Sequence, residues 1–395
     1  MQPLEGVKVI DFSQYLSGPY CTMQLADQGA DVIKIERPQG GDDSRAMAPI
    51  VEGESYPSAM PNRNKRSVTI DLKNQRGREL IHAMVAQADI VVESFRPGVM
   101  ERLELDYAAL KAHNPDLIYC SVTGYGQTGP NSHRAGFDII AQGMAGFLRM
   151  TGPEGGEPAK FGVAVTDLTA GLTAANAILA AYIHRLRGGG GQYIDVSLLD
   201  AGLALTVWEA GAWFGAGLEP TPQGSRHRYN APYQAFKTSD GYVTIGANNQ
   251  RLWERLCHEV LEDDALVARQ EYSTPLARAE HSAGLADELQ ETLITRPTEY
   301  WVSRLDAAGV PGGPVLSYGE ALQQEQVKAR DMVVDIDHPK IGRMSALGPP
   351  AKMSQTPQTV RRPAPMLGEH TREVLSEFGL SRDDIEKLET DGAIA

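Results

Sequence analysis

The chain predicts an α/β protein with a parallel sheet covered by helices on both faces. Three observations predict this. Short Val/Ile-rich runs recur through the first two hundred residues, stretches of helical spacing separate them, and the overall composition is that of a globular protein, 42% hydrophobic and 22% charged. A length of 395 residues exceeds one typical core, so two structural units are expected.

The elements follow in order. Val7–Phe12 reads as a strand and Pro19–Gln28 as a helix with proline near its start. Asp31–Ile35 is the second strand and Ser67–Asp71 the third, after a loop rich in Gly, Pro and Asn. Asn74–Gln87 is amphipathic, with Leu80, Ile81, Met84 and Val85 on one face. Asp89–Glu93 and Leu117–Val122 are further strands. Leu168, Leu172, Ala175, Leu179, Tyr182 and Leu186 mark a long helix that Gly188–Gly191 breaks. Gln192–Ser197 is the next strand, and Leu198 to about Phe214 is predicted as one apolar helix. Gly215–Gly224 reads as a hinge. Beyond it, Tyr233–Thr238 and Tyr242–Ile245 flank Asp240-Gly241, a hairpin signal, and helical segments follow at Gln250–Leu261 and Leu276–Leu293. The predicted organisation is residues 1–200 as the first part of a large domain, 201–224 as a linker, 225–325 as a small α+β domain, and 326–395 returning to the large domain. The last segment is proline-rich and ends in a helix starting near Gly368.

Charge and composition exclude several partners. The net charge is −14 with no long like-charge run, which argues against nucleic acid and against an anionic membrane surface. No apolar run approaches the ~20 residues a membrane span needs. Cys21, Cys120 and Cys257 are far apart and make no metal-like spacing. No leader is visible, so the expected setting is a reducing cytoplasm.

The candidate chemistry centres on Asp167. It stands where the apolar run Phe161–Val165 enters the long helix, at or next to the N-cap. Exposed N–H groups and the helix dipole are expected to hold it ionised, and an ionised carboxylate in a dry, glycine-lined pocket is a nucleophile. In parallel sheets ligands sit beyond the carboxyl ends of the strands. Arg37, Lys73, Arg96 and Arg102 lie at or soon after such ends, and arginine suits phosphate and purine. No Gly-x-Gly-x-x-Gly follows Phe12, which disfavours a nicotinamide dehydrogenase.

Several motifs carry a family resemblance. They are Leu4-Glu-Gly-Val-Lys-Val-Ile-Asp-Phe12 with Gly18-Pro19, Gly29-Ala-Asp-Val-Ile-Lys-Ile-Glu-Arg37, and Asn64-Lys-Arg-Ser-Val68. Ser94-Phe-Arg-Pro-Gly98, Gly124-Tyr-Gly-Gln-Thr-Gly-Pro130 and Gly191-Gln-Tyr-Ile-Asp-Val-Ser197 follow, then Gly309-Val-Pro-Gly-Gly-Pro-Val315 and Leu367-Gly-Glu-His-Thr371. In order and spacing the chain resembles the class III CoA-transferases, among them formyl-CoA and carnitine CoA-transferases, over essentially its whole length. The resemblance implies a Rossmann-like large domain with an inserted small domain, in an interlocked homodimer. It implies Asp167 as nucleophile, and CoA contacts at Leu16, Ser17, Arg37, Ile70 to Lys73, Ser94, Phe95, Arg96 and Arg102. Coenzyme A and its acyl thioesters enter as substrates, with no permanently bound cofactor and no metal.

On this reading CoA moves from an acyl-CoA to a carboxylic acid, with a short-chain mono- or dicarboxylate expected as acceptor. Tyr15, Phe137 and Phe161 are expected to wall the pocket. His227, with Arg226 and Arg228, is a candidate for the acceptor carboxylate, although a structural role is commoner for such residues. Two alternatives stay open. The first is a 2-methylacyl-CoA racemase, whose family members carry a histidine in an Ala-Gly-His-Asp context. Here the run is Ala135-Gly-Phe-Asp138, and His133 stands four residues away from that place in the notation of the chain. The second is a non-catalytic CoA-binding protein.

Overall fold

Strand β1 (Lys8–Asp11) lies in the middle of a six-stranded sheet in the computed structural model, which describes residues 2–395. The other strands are β2 (Asp31–Glu36), β3 (Lys65–Thr69), β4 (Ile90–Glu93), β5 (Ile118–Thr123) and β6 (Tyr193–Ser197). Their order is β3-β2-β1-β4-β5-β6, and every neighbouring pair is parallel. Val9 faces Val32 on one side and Ile90 on the other. The strands are Val/Ile-rich because apolar layers cover both sheet faces. On one face Val9, Val32, Val92 and Cys120 pack with Leu25, Ala174 and Ile178. On the other, Ile10, Ile33, Val68 and Val91 pack with Ile81, Met84 and Leu375.

The helices that matter for the site start beside the sheet's carboxyl ends. Helix α1 (Ser17–Asp27) follows β1, and α2 (Gln75–Val85) follows β3 with Asn74 as its N-cap. Helix α3 (Asp138–Met144) precedes the long α4 (Val165–Leu186). A Cβ on Gly171 would lie 2.6 Å from the Ser17 carbonyl oxygen, so glycine there permits the close approach of α4 to α1. After α4, Gly188 takes φ +90° and turns the chain toward β6.

The apolar run from Leu198 is two helices, not one. Helix α5 (Leu198–Ala204) ends at Leu205, and α6 (Val207–Ala216) begins after Thr206. The Thr206 hydroxyl donates to the Leu203 carbonyl at 2.8 Å, which ends the first helix locally. Helix α6 buries none of its residues in this chain.

The chain divides into two compact units. The first comprises the chain up to Phe147, Phe161–Leu218 and Glu325–Ala395. The second comprises Leu148–Lys160 and Glu219–Gln324. It contains an antiparallel sheet of β7 (Tyr233–Lys237), β8 (Tyr242–Gly246) and β9 (Gly312–Pro314), with β8 in the middle. Trp253, Leu256, Leu285, Leu289 and Leu305 form its core. The stretch 148–160 joins this unit through Gly224 N–H to the Gly152 carbonyl (2.8 Å) and an Arg226–Glu154 ion pair. In the first unit the returning tail contains a hairpin of β10 (Val333–His338) and β11 (Gly342–Leu347), which the sequence reading left irregular. Among the described residues no helix is long and apolar enough to cross a membrane.

Candidate active site

The sheet order reverses direction between β1 and β4, and a cleft of about 630 Å³ opens beside that point. Its lining comes wholly from the first unit. The loop after β1 supplies Gln14, Tyr15, Leu16 and Ser17, and the loop after β4 supplies Ser94, Phe95, Arg96 and Pro97. The end of β5 and the segment after it supply Thr123, Gly124, Arg134 and Phe137, and the start of α4 supplies Ala164 and Asp167.

A buried charge network holds the first loop from beneath. Asp11, at the end of β1, accepts from the Ser13 N–H (2.9 Å), the Thr22 hydroxyl (2.6 Å) and the Lys65 ammonium (3.1 Å). Lys34 donates to the Ser13 carbonyl at 2.7 Å and pairs with Asp42 at 2.9 Å. Asp42 in turn accepts from the Tyr15 N–H at 3.2 Å. Burial pushes the Asp11 carboxyl up, but Lys65, Lys34 and the hydrogen bonds from Ser13 and Thr22 together offset it, leaving the carboxyl below its ordinary value. Burial also drops the Lys65 ammonium to about 8, against the pull of Asp11. Tyr15 takes φ +64°, in the left-handed region that non-glycine residues rarely occupy. Its N–H bond to Asp42 and the adjacent Gln14 N–H bond to Ser94 Oγ (2.9 Å) hold that turn.

Two helix N-termini border the cleft without side-chain caps of their own. Leu16 caps α1 and Ala164 caps α4, and neither makes a side-chain cap bond. Free first-turn N–H groups are donors for a developing oxyanion. The Ser17 hydroxyl is buried and without a hydrogen-bond partner among the described residues.

Asp167 is the third residue of α4, not its N-cap. The capping role falls to Asp138 of α3. Asp138 Oδ1 accepts from Thr166 N–H at 3.0 Å and from the Thr166 hydroxyl at 2.8 Å. Gln142 donates to the other Asp138 oxygen at 2.7 Å and accepts from Phe161 N–H at 2.9 Å, tying the segment before α4. Asp167 ionises less readily than its place at a helix start predicts. Burial, and then the neighbouring Asp138 carboxyl, raise it to about 7. The helix dipole is worth less than this loss of solvation.

The structure therefore brings together Asp167, Leu16, Ser17, Ser94, Phe95, Arg96, Tyr15 and Phe137 around one cleft. Others lie outside its lining. Arg37 is exposed and paired with Asp43. Arg102 is exposed and folds its guanidinium over Gly98. Lys73 is exposed, and its backbone N–H donates to Asp71. Ile70 is fully buried in the core, and its backbone bridges to Ile394, so its side chain is not available to a ligand. His227 belongs to the second unit, where its Nδ1 accepts from Tyr229 N–H at 3.0 Å. There Arg226 holds Glu154, and Arg228 donates to the carbonyls of Thr221 (2.6 Å) and Met150 (3.3 Å), which are structural roles. No histidine lines the cleft among the described residues, and Phe137 occupies the place where a racemase would need a base. The same residues contain no group of three or more His, Cys, Asp or Glu side chains able to hold a metal ion. The sequence reading missed Asp138, Gln142, Arg134 and the Lys34–Lys65 network. A charged residue inside an apolar strand, as in Val32-Ile-Lys-Ile35, was the available signal for the last of these.

The chain is similar to known proteins along its whole length. The chain is 39% identical to succinyl-CoA:glutarate CoA-transferase of Mus musculus, covering all of this chain and 91% of that protein. It is 38% identical to succinate–glutarate CoA-transferase of Agrobacterium fabrum, covering 95% and 96% of the two chains. Succinyl-CoA:mesaconate CoA-transferase of Haloarcula hispanica is also 38% identical, over 96% and 97%. A CAIB/BAIF family protein from Brucella suis superposes with a TM-score of 0.85 at 37% identity, over 95% of this chain and 99% of that one. Residues 4–371 match the profile of CoA-transferase family III, and with full-length relatives that are themselves CoA-transferases, the chain belongs to that family as a CoA-transferase.

Proposed function

We propose that the enzyme moves CoA between short dicarboxylic acids, with Asp167 as the covalent nucleophile. The observation that carries the reading is Asp167 itself. It is a carboxyl at the start of a helix, raised to about 7, in a cleft bordered by the uncapped N-terminus of α1. The acceptor class is supported by the glutarate and mesaconate named in the relatives.

The steps balance without a co-reactant. An Asp167 oxygen attacks the thioester carbonyl, the C–S bond breaks, and CoA leaves as thiolate from a mixed anhydride. The thiolate attacks the aspartyl carbonyl and expels the donor acid as carboxylate, leaving an aspartyl-CoA thioester. The acceptor carboxylate then attacks that carbonyl and again releases the thiolate. The thiolate takes the acceptor acyl group from the second anhydride and frees Asp167. A raised pKa makes Asp167 a more basic nucleophile than an ordinary carboxylate and so narrows the gap to the departing thiolate. The first-turn N–H groups of α1 are suited to the oxyanions. Phe95, Phe137 and Tyr15 supply apolar wall, which limits hydrolysis of the anhydride. The loops after β1 and β4 are the proposed CoA contacts within the cleft, and Arg37, Lys73 and Arg102 the proposed contacts for the nucleotide end. The proposed assembly is a homodimer in the cytoplasm.

Mass spectrometry after incubation with acyl-CoA tests the mechanism. The wild type should carry a CoA-derived adduct at Asp167. Asp167→Asn should keep the fold, carry no adduct and lose transfer, because an amide forms no anhydride. Near wild-type transfer by Asp167→Asn would sink the mechanism, as would transfer by the wild type with no adduct at Asp167.

A further inference from the structure

We propose that Arg134 holds the distal carboxylate of the dicarboxylic acids that exchange CoA at Asp167, an inference that rests on the function proposed above. Two cationic side chains line the cleft among the described residues, Arg96 and Arg134. Arg96 belongs to the loop after β4 and also borders a neighbouring pocket whose lining contains no residue of α4. Arg134 belongs to the segment joining β5 to α3. That segment continues through Phe137 to Asp138, whose carboxyl bonds the first turn of the helix carrying Asp167. One stretch of five residues thus presents a cation and anchors the nucleophile.

The stretch is held in place. A Cβ on Gly136 would lie 2.6 Å from Gly124 Cα, so the segment crosses the end of β5 in direct backbone contact. The Arg134 guanidinium lies 5.5 Å from the centroid of the Tyr125 ring. Its Nη1 is 3.3 Å from Asn131 Oδ1, and among the described residues no carboxylate pairs with it. A guanidinium lying on an aromatic ring keeps donors in its own plane for a carboxylate fork. The surrounding wall of Tyr15, Phe137, Ala164 and Leu198 suits the methylenes of a short diacid, whose other carboxylate reacts at Asp167. Donor acid and acceptor acid occupy the place in turn, so the same arginine selects both.

The test compares glutarate with pentanoate, acids of equal chain length, as acceptors from succinyl-CoA. Wild type, Arg134→Ala and Arg134→Lys are used, with circular dichroism to confirm the fold. The wild type should prefer glutarate. The glutarate-to-pentanoate ratio of kcat/KM should fall roughly 10- to 100-fold in Arg134→Ala, the loss expected for a charge-assisted contact. Arg134→Lys should recover part of it. Calorimetric affinity for free CoA should be unchanged. An unaltered acid ratio in Arg134→Ala overturns the proposal, as does a wild type that does not prefer glutarate. A fall in CoA affinity matching the fall in kcat/KM also overturns it, because Arg134 would then hold a phosphate. Failure of the underlying mechanism is visible separately, as the absence of any adduct at Asp167 from succinyl-CoA with no second acid present.

Discussion

With its carboxyl raised to about 7, Asp167 is present at neutral pH as two populations, and only the ionised one attacks a thioester. The kcat/KM for acyl-CoA should therefore rise with pH along a limb centred near that value, since this constant reports the free enzyme. Asp138→Asn keeps an oxygen acceptor for Thr166 but removes the neighbouring carboxyl. That limb should move to lower pH; an unmoved limb would mean that Asp138 does not act on Asp167. The same shift bears on stability. The folded value lies above the ordinary 3.8, so folding favours the neutral carboxyl. This contribution is whole below the ordinary value and is lost as pH rises through about 7. Asp167→Asn should accordingly melt higher than wild type at about pH 8, by roughly 1–3 kcal/mol after discounting for partial exposure, and show no advantage at about pH 4. Thermal melts across that range decide it. The sequence marked this residue through its helix boundary and through the family resemblance. It did not show the charge state. Asp138 stands twenty-nine residues earlier, and its approach to Asp167 arises only when α3 packs beside α4.

The loop after β1 is shaped by what lies under it. Lys65→Met would leave Asp11 buried with hydroxyl and amide donors but without its nearest cation. Removing one partner of a buried pair costs about 3–5 kcal/mol. Urea unfolding should show that loss, and the KM for acyl-CoA should rise as the Tyr15 turn loosens. Gly136→Ala should cost about 1–3 kcal/mol, because its Cβ would press on the Gly124 backbone rather than on a movable side chain. Strands were the most legible elements, since burial on both faces leaves runs such as Val7–Phe12 rich in Val, Ile and Phe around the charged Lys8 and Asp11. The 198–214 run was less legible. Its composition is continuous, and the break at Leu205–Thr206 depends on one hydroxyl bonding back to its own helix. The β10–β11 hairpin was hidden because polar residues alternate with Ile336, Met344 and Ala346, and a proline-rich stretch follows, leaving only the short run Met332–Val334 to see.

Helix α6 sets the expectation for the whole molecule. Trp208 is 69% and Phe214 84% exposed in a single chain, a cost that a second subunit would relieve. The proposed homodimer should persist on dilution in analytical ultracentrifugation. For an interlocked pair, folded monomer should not appear, because separation requires unfolding. A reversible monomer with unchanged helicity would rule out interlocking. The parallel sheet was legible from the spacing of strands and helices. The placement of residues 148–160 with the second unit was not, because it rests on a few long-range bonds such as Arg226–Glu154. The return of the tail has a consequence in time. Val374, Leu375, Phe378, Ile385 and Ile394 share one apolar layer with Ile10, Ile33 and Val68. The strands of that layer leave the ribosome early, and the residues that cover them leave more than three hundred positions later. At about 5–20 residues per second, the part of this layer that the tail covers, and α2 does not, waits exposed for on the order of tens of seconds. Nascent chains of this enzyme should therefore spend most of their synthesis as clients for chaperones, with the exposed layer sealed only as translation ends.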